Sequence, residues 1–184
     1  MLARGFKTKC ENMSLGFRKE LGLKKTDPMS PALLADHLSV KLYTPNDIKG
    51  LSPAFCQILL GKGKDAWSAI TLSLDGTDVL IYNPTHSKAR QASDMMHELS
   101  HIIIGHEAGK IIMSTDSKYS LRSYKQDQED EANWLAGCLL LPREATAFIK
   151  RAGLDDDEAC DRYGVSQALL DFRIKVTGVN YQYR

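Results

Sequence analysis

Asp94-Met95-Met96-His97-Glu98-Leu99-Ser100-His101-Ile102-Ile103-Ile104 is the stretch that decides how this 184-residue chain is read. It holds His-Glu-x-x-His inside an apolar run of helical character. Residues four apart lie one above the other on a helix face, so His97 and His101 aim two imidazoles at one point. That is how a single helix grips a divalent metal. Glu98, beside the first histidine, can reach a water on that metal and act as its base. An ordinary amphipathic helix with two satisfied histidines is the alternative. Against it, Met95, Met96, Leu99, Ile102 and Ile103 would bury the helix on most sides, where two histidines and a glutamate without partners are costly.

Two histidines leave a catalytic zinc site incomplete, because such a site usually has three protein ligands and one open position. One known pattern adds a third His six residues after the second, following a Gly; those positions are Glu107 and Ile104 here, so it is absent. His106, five residues after His101, is expected to point off the ligand face. A better source is the helix opening at Gln128-Glu129-Asp130-Glu131-Ala132-Asn133. Glu129 shares a face with Ala132, Asn133, Ala136 and Leu140, and the two alanines would let this helix approach the first closely. Asn133, one turn after Glu129, could hold the outer ring nitrogen of a ligand histidine and so set its tautomer. Glu131, on the face of Leu135 and Cys138, is the competing third ligand; spacing favours Glu129. An acidic first turn that complements the helix dipole would explain one of the two without any metal.

Composition narrows the rest. The length suits a single domain over 1–184, with a helical part at 4–40, a sheet and metal-site core at 41–145 and a helical end at 146–184. A hydrophobic fraction of 43% can supply a core, and a net charge of +1 gives no global case for a nucleic-acid or membrane partner. Residues 1–25 are locally basic, with Arg4, Lys7, Lys9, Arg18, Lys19, Lys24 and Lys25 against Glu11 and Glu20. The solvated face of a helix is the expected cause. Cys10, Cys56, Cys138 and Cys160 form no Cys-x-x-Cys pair, which fits neither a zinc ribbon nor a redox motif, and buried packing is their default role. With no signal-like start and no apolar run near 18 residues, a cytoplasmic chain with reduced thiols is expected.

Along the chain, helices are predicted at 4–22, 31–38 and 53–60, a strand at Val40–Tyr43, and a hairpin at Ala69–Leu74 and Val79–Tyr82 around Asp75-Gly76. Gly61-Lys62-Gly63 lacks the rest of a phosphate loop and reads as a linker. The metal-site helix should run from Lys88 to Gly105, capped by Ser87. A polar connection at 108–127, with a short strand at 111–114, leads to a helix at 127–141 stopped by Pro142. Short helices at 144–152, 156–163 and 166–176 complete the chain. His37 is expected to be a surface or packing residue.

His97-Glu98-Leu99-Ser100-His101 together with Glu129-x-Glu131-Ala132-Asn133-x-x-Ala136-x-x-Leu139-Leu140-Leu141-Pro142 resembles the ImmA/IrrE family of metallo-endopeptidases. Gly5-Phe6-Lys7, Arg18-Lys19-Glu20-Leu21-Gly22-Leu23, the Pro28 turn, Trp67-Ser68-Ala69 and Asn83-Pro84 resemble its stand-alone members, so the likeness spans most of residues 4–145. The resemblance implies an α+β fold with a zincin-like, more specifically gluzincin-like, core: a small twisted, mainly antiparallel sheet beside two site helices, with a helical C-terminal end. Residue by residue, it makes His97, His101 and Glu129 the metal ligands, Glu98 the catalytic base, and Asn133 the residue behind a ligand. Zinc is the implied ion, with Mn2+ or another divalent ion left open. One departure is Trp134-Leu135, where Phe is commoner at the second place, a difference of packing.

The implied activity is zinc-dependent cleavage of one specific protein, a cognate helix-turn-helix repressor or antitoxin-like regulator encoded nearby. The edge of the 67–82 hairpin could bind that substrate as an added strand. Tyr119, Tyr124 and His106 are candidates to stabilise the oxyanion, although a surface role is the simpler expectation for each. Two other functions compete. The first is a metal-stabilised regulatory binding protein without useful protease activity. The second is a DNA-binding module, because Cys160-x-x-x-Gly164-Val165-Ser166-x-x-x-Leu170, followed by Arg173 and Lys175, resembles the turn of a helix-turn-helix. Asp155, Asp156, Asp157, Glu158 and Asp161 would repel phosphates there, so a structural helical end is preferred. No membrane partner is expected, and the sequence leaves the oligomeric state open.

Overall fold

The computed structural model describes residues 2–74, 77–106 and 125–182. Helix α1 (Phe6–Glu20) is followed by α2 (Pro31–His37), strand β1 (Lys41–Tyr43), α3 (Pro53–Gln57) and the hairpin strands β2 (Ala69–Leu74) and β3 (Thr77–Tyr82). Then come α4 (Lys88–Ile104), α5 (Gln126–Leu140), α6 (Arg143–Ala152), α7 (Asp156–Tyr163) and α8 (Gln167–Thr177). The class is α+β, mostly helical, with one three-stranded sheet among the described residues.

The strand order is β1-β3-β2. β2 and β3 pair antiparallel from Ala69↔Tyr82 to Leu74↔Thr77, so Thr77 and Asp78 belong to the strand and not to the turn. β1 joins β3 in parallel, Lys41↔Val79 to Tyr43↔Ile81, which makes the sheet mixed although its longer ladder is antiparallel. Leu80, at the centre of β3, is fully buried. α4 packs on β2 and β3; α5 packs on α4, and α1 lies against α5. α2 touches α4 and β1, while α8 gathers α5, α6 and α7 at the other end.

Local chemistry places the helix ends close to where the sequence puts them. Ser30, Ser52, Ser87 and Ser166 each accept an N–H bond from the first turn of α2, α3, α4 and α8, the usual service of a serine N-cap. Asp155 and Glu158 form a reciprocal capping box on α7. α3 is shorter than the expected 53–60 helix. The chain widens into a π turn at Ile58–Lys62, closed by Gly63 N–H to Ile58 O at 2.8 Å. A Cβ on Gly63 would stand 2.9 Å from that oxygen, so the last glycine of Gly61-Lys62-Gly63 lets this turn close. Asn83, 1% exposed, donates to Lys64 O and Trp67 O and ties this region to the end of β3.

The basic N-terminal run divides in an unexpected way. Six of its cations are exposed, but Arg18 is fully buried. The buried stripe of α1 is Phe6, Cys10, Ser14 and Arg18, spaced four apart, while Met13 and Phe17 are only partly covered. The two polar members serve the C-terminus of α5, where a helix leaves carbonyls without internal partners. Ser14 Oγ donates to Cys138 O at 2.6 Å, and Arg18 Nη2 donates to Leu139 O at 2.9 Å. Arg173, 1% exposed, donates through Nε to Leu141 O at 2.8 Å and is paired with Glu11. A Cβ on Gly137 would lie 3.2 Å from Arg173 Cδ, so this mid-helix glycine makes room for the guanidinium. Two buried cations at the negative end of α5 are favourably placed.

This arrangement settles the role of Arg173. Its guanidinium is a structural tie, bonded to Leu141 O and paired with Glu11, and residues 156–177 fold as helices α7 and α8. His37 is a packing residue: it bonds to Glu20 at 2.9 Å and lies edge-on to Phe17. Cys10 and Cys138 are buried as expected, whereas Cys56 and Cys160 are partly exposed; all four are free thiols. The expected connection at 108–127 and its strand at 111–114 fall almost wholly outside the described residues.

Candidate metal centre

α4 is long enough to bring both histidines one turn apart, and its seat on the sheet buries Met96, Leu99, Ser100, Glu98 and His101. α5 can approach closely because Ala132 and Ala136 are small and buried at the contact. The result is a cluster of three donors from two helices. His97 Nε2 and His101 Nε2 are 3.0 Å apart, Glu129 Oε2 is 3.3 Å from His97 Nε2, and Glu129 Oε1 is 3.5 Å from His101 Nε2. Among the described residues, these three form the group able to hold a metal ion.

The residues fit a divalent ion. With metal–donor lengths of about 2.0–2.2 Å, two donors of a tetrahedral zinc site stand roughly 3.3–3.6 Å apart. The observed spacings are close to that, and only the two nitrogens would have to part slightly. Asn133 Oδ1 lies 3.0 Å from His97 Nδ1. A carbonyl oxygen can only accept, so His97 carries its proton on Nδ1 and turns a bare Nε2 towards the cluster. Bare nitrogen and carboxylate lone pairs facing one another repel unless a cation lies between them.

His101 is buried, and this burial, followed by the nearness of His97 and His106, pushes its pKa from 6.5 down to about 4. It is therefore neutral at physiological pH, as a metal ligand must be. Glu98 is 7% exposed and accepts a hydrogen bond from Thr71 Oγ1 at 2.7 Å on its Oε2. The base expected from the sequence is thus held against β2, one of the two outer strands of the sheet.

Of two further placements, the first agrees with the preference for Glu129 and the second differs from the sequence reading. Glu131 stands apart from the three-donor cluster, its Oε2 lying 3.1 Å from His106 Nε2. His106 does not point away from the site: its Nδ1 lies 2.9 Å from His101 Nδ1, and its side chain is 7% exposed. The helical-wheel expectation fails because α4 ends at Ile104. Gly105 takes φ 79°, and His106 N–H bonds back to His101 O at 2.9 Å, so the ring folds onto the helix it has just left. The Gly-His pair at a helix end was the available signal. For Thr71 there was none, because its meeting with Glu98 depends on how α4 lies on the sheet. Tyr119 and Tyr124 lie outside the described residues.

A family model described as the IrrE N-terminal-like domain matches residues 60–175, which contain the hairpin, α4 and α5. The chain belongs to this metallopeptidase-like family. A search of curated proteins finds no match. Among solved structures that match, a Mycobacterium tuberculosis transcriptional regulator aligns with a TM-score of 0.53 at 17% identity, over 94% of this chain and 47% of that one. The IrrE-like chain therefore shares a fold with that protein and spans about half its length. No helix among the described residues is long and apolar enough to cross a membrane.

Proposed function

We propose that this IrrE-like chain is a zinc-dependent endopeptidase that hydrolyses a peptide bond in one specific protein. The observation that carries this reading is the convergence of His97, His101 and Glu129 within hydrogen-bonding distance of one another, with Glu98 fixed on the same helix. A bound zinc ion would acidify a water and polarise the scissile carbonyl. His97, His101 and Glu129 would hold that ion, and Mn2+ could replace it. Glu98 would take the proton from the attacking water and pass it to the leaving amine. Thr71 donates to one oxygen of Glu98 and keeps the carboxylate in place for both transfers. β2, the outer strand beside Glu98, offers an edge on which an extended substrate could be laid; a substrate complex without main-chain pairing to residues 67–82 would rule this out.

The proposed substrate is a helix-turn-helix repressor encoded beside this gene. Support comes from the resemblance of both site motifs to repressor-cleaving metallo-endopeptidases. Co-expression of wild type and Glu98→Gln with that repressor tests the reading: cleavage by wild type alone is expected. Cleavage by both, or by neither while both bind equally, would defeat it. The second outcome would favour a metal-stabilised regulatory module, a role for which the transcriptional regulator of like fold gives some ground. Metal content tests the third ligand: Glu129→Ala should lose zinc, and full retention there with loss in Glu131→Ala would transfer the role to Glu131.

A further inference from the structure

We infer that His106 and Glu131 form a relay that fixes His101 in its metal-binding tautomer. It rests on the metal site proposed above and gives a role to two residues which that site leaves unused. Glu131 Oε2 is 3.1 Å from His106 Nε2, and His106 Nδ1 is 2.9 Å from His101 Nδ1. A carboxylate only accepts, so the proton of a neutral His106 lies on Nε2 and its Nδ1 is an acceptor. One of the two facing Nδ1 atoms must donate, which places a proton on His101 Nδ1. His101 Nε2, the atom facing His97 and Glu129, is then left bare for a metal.

The two histidines are thus served differently. His97 is held by a neutral amide, Asn133, on an exposed part of α5. His101 is held through a second ring by a carboxylate, within a largely buried stack whose rings meet edge-on at 5.0 Å. A carboxylate acting through a hydrogen-bonded ring makes the far nitrogen a stronger donor. Geometry also separates this role from a helix cap. The cap needs only the His106 backbone N–H, already bonded to His101 O, and the Gly105 turn. The His106 ring adds nothing to the cap, yet it bridges α4 and α5 between two named acceptor and donor atoms.

Zn2+ affinity by chelator competition, the Co2+ absorption spectrum and thermal melts of the metal-free chain test the relay. His106→Leu should weaken Zn2+ binding about 10–100-fold and shift the Co2+ bands. His106→Asn, whose Oδ1 can accept from His101 Nδ1–H, should recover most of the affinity, which a loss of packing alone would not explain. Glu131→Ala should weaken Zn2+ binding roughly tenfold at an unchanged melting temperature. Zn2+ binding within twofold of wild type in His106→Leu, or in Glu131→Ala should His106→Leu fail to fold, would overturn the relay. His97→Ala and Glu129→Ala are the controls: if they lose Zn2+ while the relay variants keep it, only the relay fails. If they too keep it, the metal site itself is wrong.

Discussion

Arg18 can be tested as a structural part of the site's support rather than as a surface cation. Replacing it with Met keeps most of the buried stem and removes the guanidinium. Its three closest acceptors then lose a donor, Leu139 O at 2.9 Å, Asp27 O at 3.0 Å and Ser14 Oγ at 2.7 Å, with Ser14 O a weaker fourth at 3.4 Å. Each buried acceptor left unpaired costs about 1–3 kcal/mol, or roughly 6 kcal/mol together. Relief of burying the charge works the other way. Burial pushes the Arg18 pKa from 12.5 down to about 10, which corresponds to roughly 3 kcal/mol. The net destabilisation is therefore about 3 kcal/mol, or a melting temperature about 6–12 °C lower for a chain of this length. Arg18→Lys should recover less than half, because an ammonium cannot reproduce the planar fork. Lys19→Met, the exposed neighbour, should change stability by less than about 0.5 kcal/mol. Thermal and urea unfolding of the metal-free chain read all three. A fall of less than 2 °C in Arg18→Met, or equal losses at Arg18 and Lys19, would refute the reasoning.

Other outcomes follow from single contacts. Thr71→Val removes the hydroxyl from nearly buried Glu98; loss of a bond to a charged group, worth about 1.5–3 kcal/mol, should lower cleavage of the proposed repressor substrate at least tenfold with zinc content unchanged. Equal cleavage would show that Thr71 does not position the base. Asn133→Ala should weaken Zn2+ binding about tenfold, near the lower end for such partners, because His97 is 21% exposed and water can replace the amide. Chelator competition measures it. In the metal-free chain the folded His101 pKa lies below 6.5, so the unfolded chain binds more protons between pH 6.5 and about 4. Stability should be full above pH 6.5 and fall by at most about 3 kcal/mol as the pH drops to 4; a flat profile for His101→Gln against a falling one for wild type would confirm the source. Burial pushes the Cys10 thiol up to about 12 and raises Cys138 as well. Their stabilising share is present below pH 9.0 and lost as pH rises towards 12. A thiol reagent at pH 8 should label Cys56 and Cys160 in the native chain, and Cys10 and Cys138 only after unfolding.

The sequence by itself determined the features that short-range rules control. His97 and His101 share a face because a helix repeats every 3.6 residues, and Ser87 marks the start of α4 because a hydroxyl can serve the first free N–H groups. The β2–β3 hairpin was equally legible, through alternation on either side of Asp75-Gly76. Glu129 and Asn133 could be ranked from their common face, since that too is a property of one helix.

Only the tertiary structure decided which carboxylate meets the histidines, because that depends on how α5 is rotated against α4. The same holds for β1, which joins β3 in parallel across a long crossover, and for Thr71, which meets Glu98 only once α4 lies on the sheet. Arg18 reads as a surface cation and Arg173 as part of a helix-turn-helix-like end, because the sequence does not reveal the carbonyls at the end of α5 that receive them. His106 was misjudged for a related reason. Its position is set by a helix that stops at Ile104 and by Gly105, whose left-handed turn brings the ring back onto His101. Periodicity describes a residue only while its helix continues; beyond the cap, the partner is chosen by packing.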